Sequence, residues 1–156
     1  MKAERDLTLN DKISYGFGSE YKYDWANFKT QTYTSQSRGH VSNLGTFANV
    51  GYRFNDNQVL SIYGRNDIHK ITDENQTYKI NFTQFFDKLK IGATHSTGLK
   101  NPGLYEFYGS SNWHTGSESV DPSKSKTNEI FAEYTYSDKI SFNSTAYRTT
   151  ISNRIS

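Results

Sequence analysis

Cysteine is absent from this chain, proline occurs only twice and methionine once. No apolar run approaches the ~18 residues of a membrane helix. Each absence closes a possibility. Without thiols there is no disulfide framework and no thiolate metal site. Without a long apolar run the chain cannot cross a membrane as a helix, so any crossing must be made by strands. Residues 1–20 hold no apolar h-region, and no secretory leader is expected there. Apolar residues make up 33% of the chain, which is thin for a water-soluble core. A net charge of +2 comes with no basic cluster, so no nucleic-acid partner is expected.

What the chain has instead is aromatic residues, at 15% with 12 Tyr and 10 Phe. Disordered chains are poor in aromatics, so low hydrophobicity here does not mean disorder. A polar average rich in Tyr, Phe, Thr, Ser and Asn suits a sheet with one greasy face and one wet face. The 156 residues allow one domain and not comfortably two.

Period-two alternation runs through most of the sequence. From Lys12, the residues Ile13, Tyr15, Phe17, Tyr21 and Tyr23 share one face, opposite Ser14, Gly16, Gly18, Glu20 and Lys22. The same pattern recurs over 44–54, 60–67, 78–83, 89–94, 129–136 and 140–147. Residues 1–6 are charged and are expected to fray, with Leu7-Thr8-Leu9 as a possible stub. That predicts seven full strands, or eight with the stub, and no helix. The predicted connections alternate. Short turns fall at 10–11, 55–57, 86–88 and 137–138; longer loops fall at 24–43, 69–75 and 97–126. In an up-and-down sheet every short turn then lies at one end and every long loop at the other, the asymmetry of outer-membrane barrels. Aromatics on the apolar face also gather at strand ends, such as Tyr52, Tyr134, Tyr136 and Phe142 near short turns and Tyr21, Tyr23 and Trp25 toward the loops. Smaller residues (Ala48, Val50, Ile62, Ile80, Ala93) lie between them, as a bilayer asks of a barrel. A soluble antiparallel sandwich is the competing reading, but strand length and loop asymmetry weigh against it.

The longest loop carries both prolines and the segment Gly98-Leu99-Lys100-Asn101-Pro102-Gly103-Leu104-Tyr105-Glu106-Phe107-Tyr108-Gly109. That segment resembles the stretch of TonB-dependent outer-membrane receptors reading roughly G-[FY]-K-A-P-x-L-x-[QE]-L-[YF]-G. Downstream, Val120-Asp121-Pro122-Ser123-Lys124-Ser125-Lys126-Thr127-Asn128-Glu129 resembles the N-P-x-L-x-P-E-x-S-x-x-x-E that follows it. Arg65-Asn66-Asp67 looks like the family's R-x-D at a strand end, and Gly18-Ser19-Glu20-Tyr21-Lys22-Tyr23 resembles its G-x-E-Y-x-[YW] strand. Asn101 replaces the usual small residue before Pro102, and Ser123 stands where Glu is common. The pattern covers residues 7–155 and is most similar to the vitamin B12 and catecholate-siderophore branch.

The resemblance implies an all-β fold: an antiparallel up-and-down transmembrane β-barrel segment of about 7–8 strands, part of a family fold of about 22 strands that encloses a plug. Residues 1–156 are expected to be a partial TonB-dependent receptor barrel domain with no plug domain, a fragment from its C-terminal half. The implied function is active transport of cobalamin or an iron–siderophore at the bacterial outer membrane. In the intact protein the implied partners are outer-membrane lipid, TonB, and a small-molecule chelate or corrinoid. A self-contained eight-stranded barrel with a structural or adhesion role stays open as the alternative.

On the loop, Tyr105, Phe107, Tyr108 and Trp113 are the ligand-binding candidates, since rings on a loop can cover a flat, partly apolar ligand; rim packing is the plainer reading. Arg65, Asp67, Lys79, Lys90, Glu129 and Glu133 are expected to face the lumen, where cross-strand charge pairing accounts for them without a ligand. Arg148 also alternates near the rim, and strict alternation from Phe142 turns it outward. His40, His69, His95 and His114 fall toward the loop side, but their spacing matches no ligand pattern, and neither metal nor cofactor is expected. No nucleophile stands with a base, so no enzyme is expected.

Overall fold

The structure, a computed structural model, describes residues 1–29, 36–109, 115–117 and 119–153. Eight strands form one antiparallel sheet in chain order. They are β1 (Lys2–Asn10), β2 (Ile13–Lys29), β3 (Gln36–Asn55), β4 (Gln58–His69), β5 (Asp73–Phe85), β6 (Leu89–Lys100), β7 (Ser123–Ser137) and β8 (Ile140–Ser152). A five-residue helix, α1 (Leu104–Tyr108), lies in the β6–β7 connection. The sheet is open: β1 and β8 are its edges and do not pair with each other. A closed eight-stranded barrel is therefore not what these residues form.

The strands exceed their sequence-predicted lengths. Residues 1–6, expected to fray, pair with β2 from Lys2↔Glu20 to Asp6↔Gly16. Residues 24–43, expected as loop, are mostly strand, with pairing continuous from Ile13↔Tyr52 to Lys29↔Gln36. The expected loop at 69–75 shrinks to a turn at 70–72. His69 and Asn75 hold that turn. His69 Nδ1 accepts from the Ile71 and Thr72 amides at 3.3 and 3.2 Å, and Asn75 Nδ2 donates to the Thr72 carbonyl at 2.9 Å. Asp73 follows with φ of 56°, a left-handed conformation that Asp tolerates better than most residues.

Apart from the two prolines, only two apolar side chains larger than alanine are buried among the described residues, Val41 (8% exposed) and Phe107 (2%). A soluble domain of this length buries roughly 70% of its unfolded surface by packing a second layer on the apolar face. Here that face stays open, with Ile130 at 64% and Phe142 at 62% exposed. No helix among the described residues is long and apolar enough to cross a membrane, which does not bear on crossing by strands.

The apolar face is organised obliquely. One row of paired residues crosses it from β2 to β8: Ile13, Tyr52, Leu60, Phe82, Ala93, Ile130, Ala146. On β2 the apolar residues run from Ile13 toward the long-connection end as far as Trp25, centred on Ser19, six residues beyond the row. On β8 they run from Ala146 toward the short-turn end as far as Ile140, centred on Asn143, three residues the other way. Six and three make nine residues, about 30 Å at ~3.3 Å each, gained over six strand steps of ~4.8 Å, about 29 Å. The band thus slopes at about 45° to the register. A level apolar belt on strands tilted ~35–45° has that slope.

Candidate functional site

The opposite face is polar, and its chemistry concentrates where β2, β3 and β4 run side by side. Arg65 Nε and Nη2 donate to the two Asp67 carboxylate oxygens at 2.7 Å each, a bidentate pair. Arg65 Nη2 also reaches Glu20 Oε2 at 3.2 Å. Asn43 Nδ2 donates to Asp67 Oδ1 at 2.7 Å, and Lys22 lies 3.7 Å from Glu20. Alternation puts Glu20, Asn43, Arg65 and Asp67 on one face, and the pairing Glu20↔Gly45↔Asp67 sets them in adjacent rows. Gly45 has to be small, because a Cβ there would overlap the Arg65 guanidinium and come within 2.9 Å of Asp67 Oδ1. The Arg65 and Asp67 side chains are 20% and 10% exposed, so the pair is weakly screened and rigidly held. Phe47 lies beside it, with the Arg65 guanidinium carbon 5.9 Å from the ring centroid and the Tyr63 ring stacked at 6.2 Å.

The other expected polar-face charges share this face by the register. Lys90 Nζ lies 3.1 Å from Glu133 across β6–β7, and 5.7 Å from the Phe131 ring centroid. Glu129 sits opposite Thr94 and Tyr147, and Lys79 is exposed opposite Tyr63 and Ser96. Arg148 takes the other face, opposite Asn128.

At the long-connection end the β6–β7 segment folds back over this polar face. α1 touches β2 and β3. Its first turn is stabilised by Glu106, whose Oε2 accepts from the Gly103 amide at 3.0 Å. The Phe107 ring is buried with the His69 ring 5.9 Å away. The Tyr108 ring occupies the space where a Cβ of Gly39 would sit, so Gly39 is what allows α1 to approach. Beyond the helix, Gly116 and Ser117 amides donate to the Gly109 and Glu106 carbonyls at 2.7 and 3.0 Å. Both prolines are buried, and Thr72 Oγ1 donates to Asn101 Oδ1 at 3.1 Å, tying the segment to the neighbouring turn. The sequence reading expected no helix here; five residues give too few turns for a helical period to show.

The four loop aromatics separate in this frame. Phe107 faces the sheet and is sealed from solvent, the rim-packing arrangement. Tyr105 is 45% exposed, with its ring 5.8 Å from Phe28 and edge-on to it. Tyr108 is half-buried over Gly39. Trp113 and His114 lie outside the described residues. The remaining histidines do not converge, and no group of three or more metal-ligating side chains occurs among the described residues. His69 and Asn75, which sequence reasoning left in a loop, are polar-face residues buried beside Asp67; the period-two spacing of His69 from Asp67 was the available signal, whereas Asn75 is placed by its register opposite Asp67.

Comparison with known proteins gives the sheet a context. The family model described as "TonB dependent receptor-like, beta-barrel" matches residues 2–156. No curated relative matches the sequence. Among solved structures, the ferric enterobactin receptor PfeA of Pseudomonas aeruginosa superposes with a TM-score of 0.82 at 16% identity. That match covers 96% of this chain and 26% of that one. The siderophore receptor PirA of Pseudomonas aeruginosa gives 0.79 at 16% identity, over 95% of this chain and 30% of that one. PirA of Acinetobacter baumannii gives 0.78 at 14%, over 96% and 26%. The chain therefore spans about a quarter to a third of the length of these neighbours, with which it shares the fold.

Proposed function

Because this chain belongs to the TonB dependent receptor-like β-barrel family, we propose that it forms part of the barrel wall of a bacterial outer-membrane receptor that imports an iron–siderophore. The observation that carries this reading is the division of one sheet into two unlike faces. One is exposed, apolar and banded at the slope of a tilted membrane barrel; the other is polar, ion-paired and partly roofed. In such a wall the apolar face meets lipid. The polar face, with Arg65, Asp67, Lys79, Lys90, Glu129 and Glu133, then faces the lumen.

The long-connection end is then extracellular and the short turns periplasmic. α1 lies over the polar face at the extracellular end, so Tyr105 and Tyr108 border the mouth through which a ligand enters. Two partly exposed phenol rings at that mouth suit a flat aryl chelate. The three structural neighbours are receptors for ferric enterobactin or siderophores, which favours that class over a corrinoid. Transport energised by TonB and a plug would come from the remainder of a full receptor, and nothing in this site suggests catalysis.

The test is uptake. Cells depleted of their own receptors and expressing the full-length outer-membrane protein that carries this segment should accumulate radiolabelled iron from a catecholate siderophore. They should not gain labelled cobalamin, and removing TonB should abolish the iron signal. Cobalamin uptake without iron uptake would reverse the substrate assignment, and recovery of the protein in a soluble fraction would overturn the receptor reading altogether.

A further inference from the structure

The apolar face changes character just above its band on β5–β8. Small and aliphatic outward residues there, with Phe82 at one side, floor a shallow recess of about 640 Å³ between Phe82, Ala93, Ile130 and Ala146. Its upper rim is formed by His95, Asn128 and Arg148. These rim residues are placed by a hydrogen-bond chain: Tyr78 Oη contacts His95 Nε2 at 3.1 Å, and His95 Nδ1 contacts Asn128 Oδ1 at 2.7 Å. Arg148 stands directly across from Asn128. Further up, β5 and β6 stop pairing with each other beyond Lys79↔Ser96 although both strands continue. Beside that gap a second recess of about 540 Å³ is bordered by Gln76, Thr97, Lys124, Lys126 and Thr150.

The outward-facing charged side chains bordering the two recesses are cationic; Glu129, which also lines the lower one, alternates to the polar face. Lys124, Lys126 and Arg148 project from the outward face in successive rows of β7 and β8. None of the three makes an ion pair among the described residues. Arg65, Lys90, Lys22 and Lys2, by contrast, each lie within ion-pair distance of a carboxylate. Three unpaired cations directly above an apolar recess make an amphipathic site whose electrostatic complement is an anion attached to a hydrocarbon chain.

We propose that the outward face of β5–β8 binds a phosphate-bearing lipid of the surrounding leaflet. One acyl chain lies along the recess over Ala93, Ile130 and Ala146, and the phosphate sits between Arg148 and Lys126. Lys124 and the hydroxyls of Thr97 and Thr150 border the rest of the headgroup. The proposal rests on the reading above that this face meets lipid, and adds a specific site to it. Cations near a membrane surface gain roughly fivefold each in affinity for anionic lipid.

The test uses the full-length outer-membrane protein carrying this segment, delipidated in non-ionic detergent and titrated by native mass spectrometry. The probes are phosphatidylglycerol, phosphatidylcholine and inorganic phosphate. Phosphatidylglycerol is expected to bind at least tenfold more tightly than phosphatidylcholine, with no competition from millimolar phosphate. The Arg148→Ala/Lys126→Ala double variant should lose about 25-fold in phosphatidylglycerol affinity, while Lys139→Ala, at the short-turn end, should lose nothing. Ala146→Trp, which fills the recess, should weaken both lipids. Equal binding of the two lipids by the unaltered protein, or an undiminished preference in the double variant, overturns the proposal. Competition by inorganic phosphate overturns it in favour of a free-anion site. A protein that binds no lipid because it never enters the membrane fraction is a failure of the receptor reading, visible by fractionation before any titration.

Discussion

Replacing Phe107 by alanine should release α1 from the sheet while leaving the sheet intact. The ring is 2% exposed and is the largest fully buried side chain among the described residues. Truncating a buried Phe costs about 3–5 kcal/mol, transfer and cavity together. α1 has five residues and is too short to be helical by itself, so its order depends on docking. The anchors to the sheet that remain include the Tyr108 ring over Gly39, the edge-on contact of Tyr105 with Phe28 and the Asn101–Thr72 hydrogen bond. These lie at the surface or at half-buried positions and contribute on the order of 1 kcal/mol each. Losing about 3 kcal/mol raises the undocked fraction by roughly 150-fold. Limited proteolysis with chymotrypsin reads this directly, because Tyr105 and Tyr108 become cleavable only when α1 lifts away. The expected result for Phe107→Ala in the membrane-embedded protein is cleavage about two orders of magnitude faster at these two tyrosines. Resistance of the barrel to detergent unfolding should not change. Cleavage at the unaltered rate would show that α1 is held by something other than this ring; loss of the folded barrel would show that the ring supports the sheet itself.

Asp67→Ala leaves a weakly solvated guanidinium with Glu20 alone at 3.2 Å; the expected cost is about 3 kcal/mol, read as a lowered denaturant midpoint, and the double variant Arg65→Met/Asp67→Leu should recover most of it. Gly39→Val places side-chain atoms inside the Tyr108 ring and should reproduce the proteolytic signature of Phe107→Ala. Ile130→Arg sits in the apolar band at a residue 64% exposed; in water it would be nearly neutral, whereas facing hydrocarbon it should cost about 2–4 kcal/mol, measured as loss of folded protein in lipid vesicles. Residues 1–156 alone, with β1 and β8 unpaired, should give no heat-resistant band on an unboiled gel, since two open edges invite aggregation rather than closure.

The parts of the fold that the sequence announces are those where hydrophobicity alternates. The row from Ile13 through Tyr52, Phe82 and Ile130 to Ala146 is legible because each strand there has one apolar and one polar face. Where both faces are polar the period vanishes, though the strand does not. Hence residues 24–43 read as loop but pair as β2 and β3, and the charged residues Lys2, Glu4 and Asp6 read as frayed but pair with Glu20, Gly18 and Gly16. At about 3.3 Å per residue the 20 residues of β3 reach about 66 Å, far more than tilted strands need for a ~30 Å hydrocarbon core. The surplus stands where the outward side chains have no reason to be greasy. The candidate site divides in the same manner. Arg65 and Asp67, two apart, are on one face by spacing alone, but their contact with Glu20, 45 residues from Arg65, depends on the register. Burial of Phe107 depends on a fold-back that no local pattern encodes.

The two unpaired edges also bear on how wide a barrel this wall belongs to. An eight-stranded barrel has an interior just wide enough for its own side chains to fill, so residues from opposite strands bury one another. On the polar face the Lys90 and Glu133 side chains remain 40% and 42% exposed although they pair with each other, and Tyr147 is 73% exposed. Apolar burial lies under α1 at the long-connection end, where Val41 and Phe107 are covered with His69. With β1 and β8 unpaired these eight strands do not close on themselves, so a barrel that includes them has more than eight and an interior wider than strand side chains alone fill. On the receptor reading proposed above, α1 covers the end at which a ligand would enter that interior.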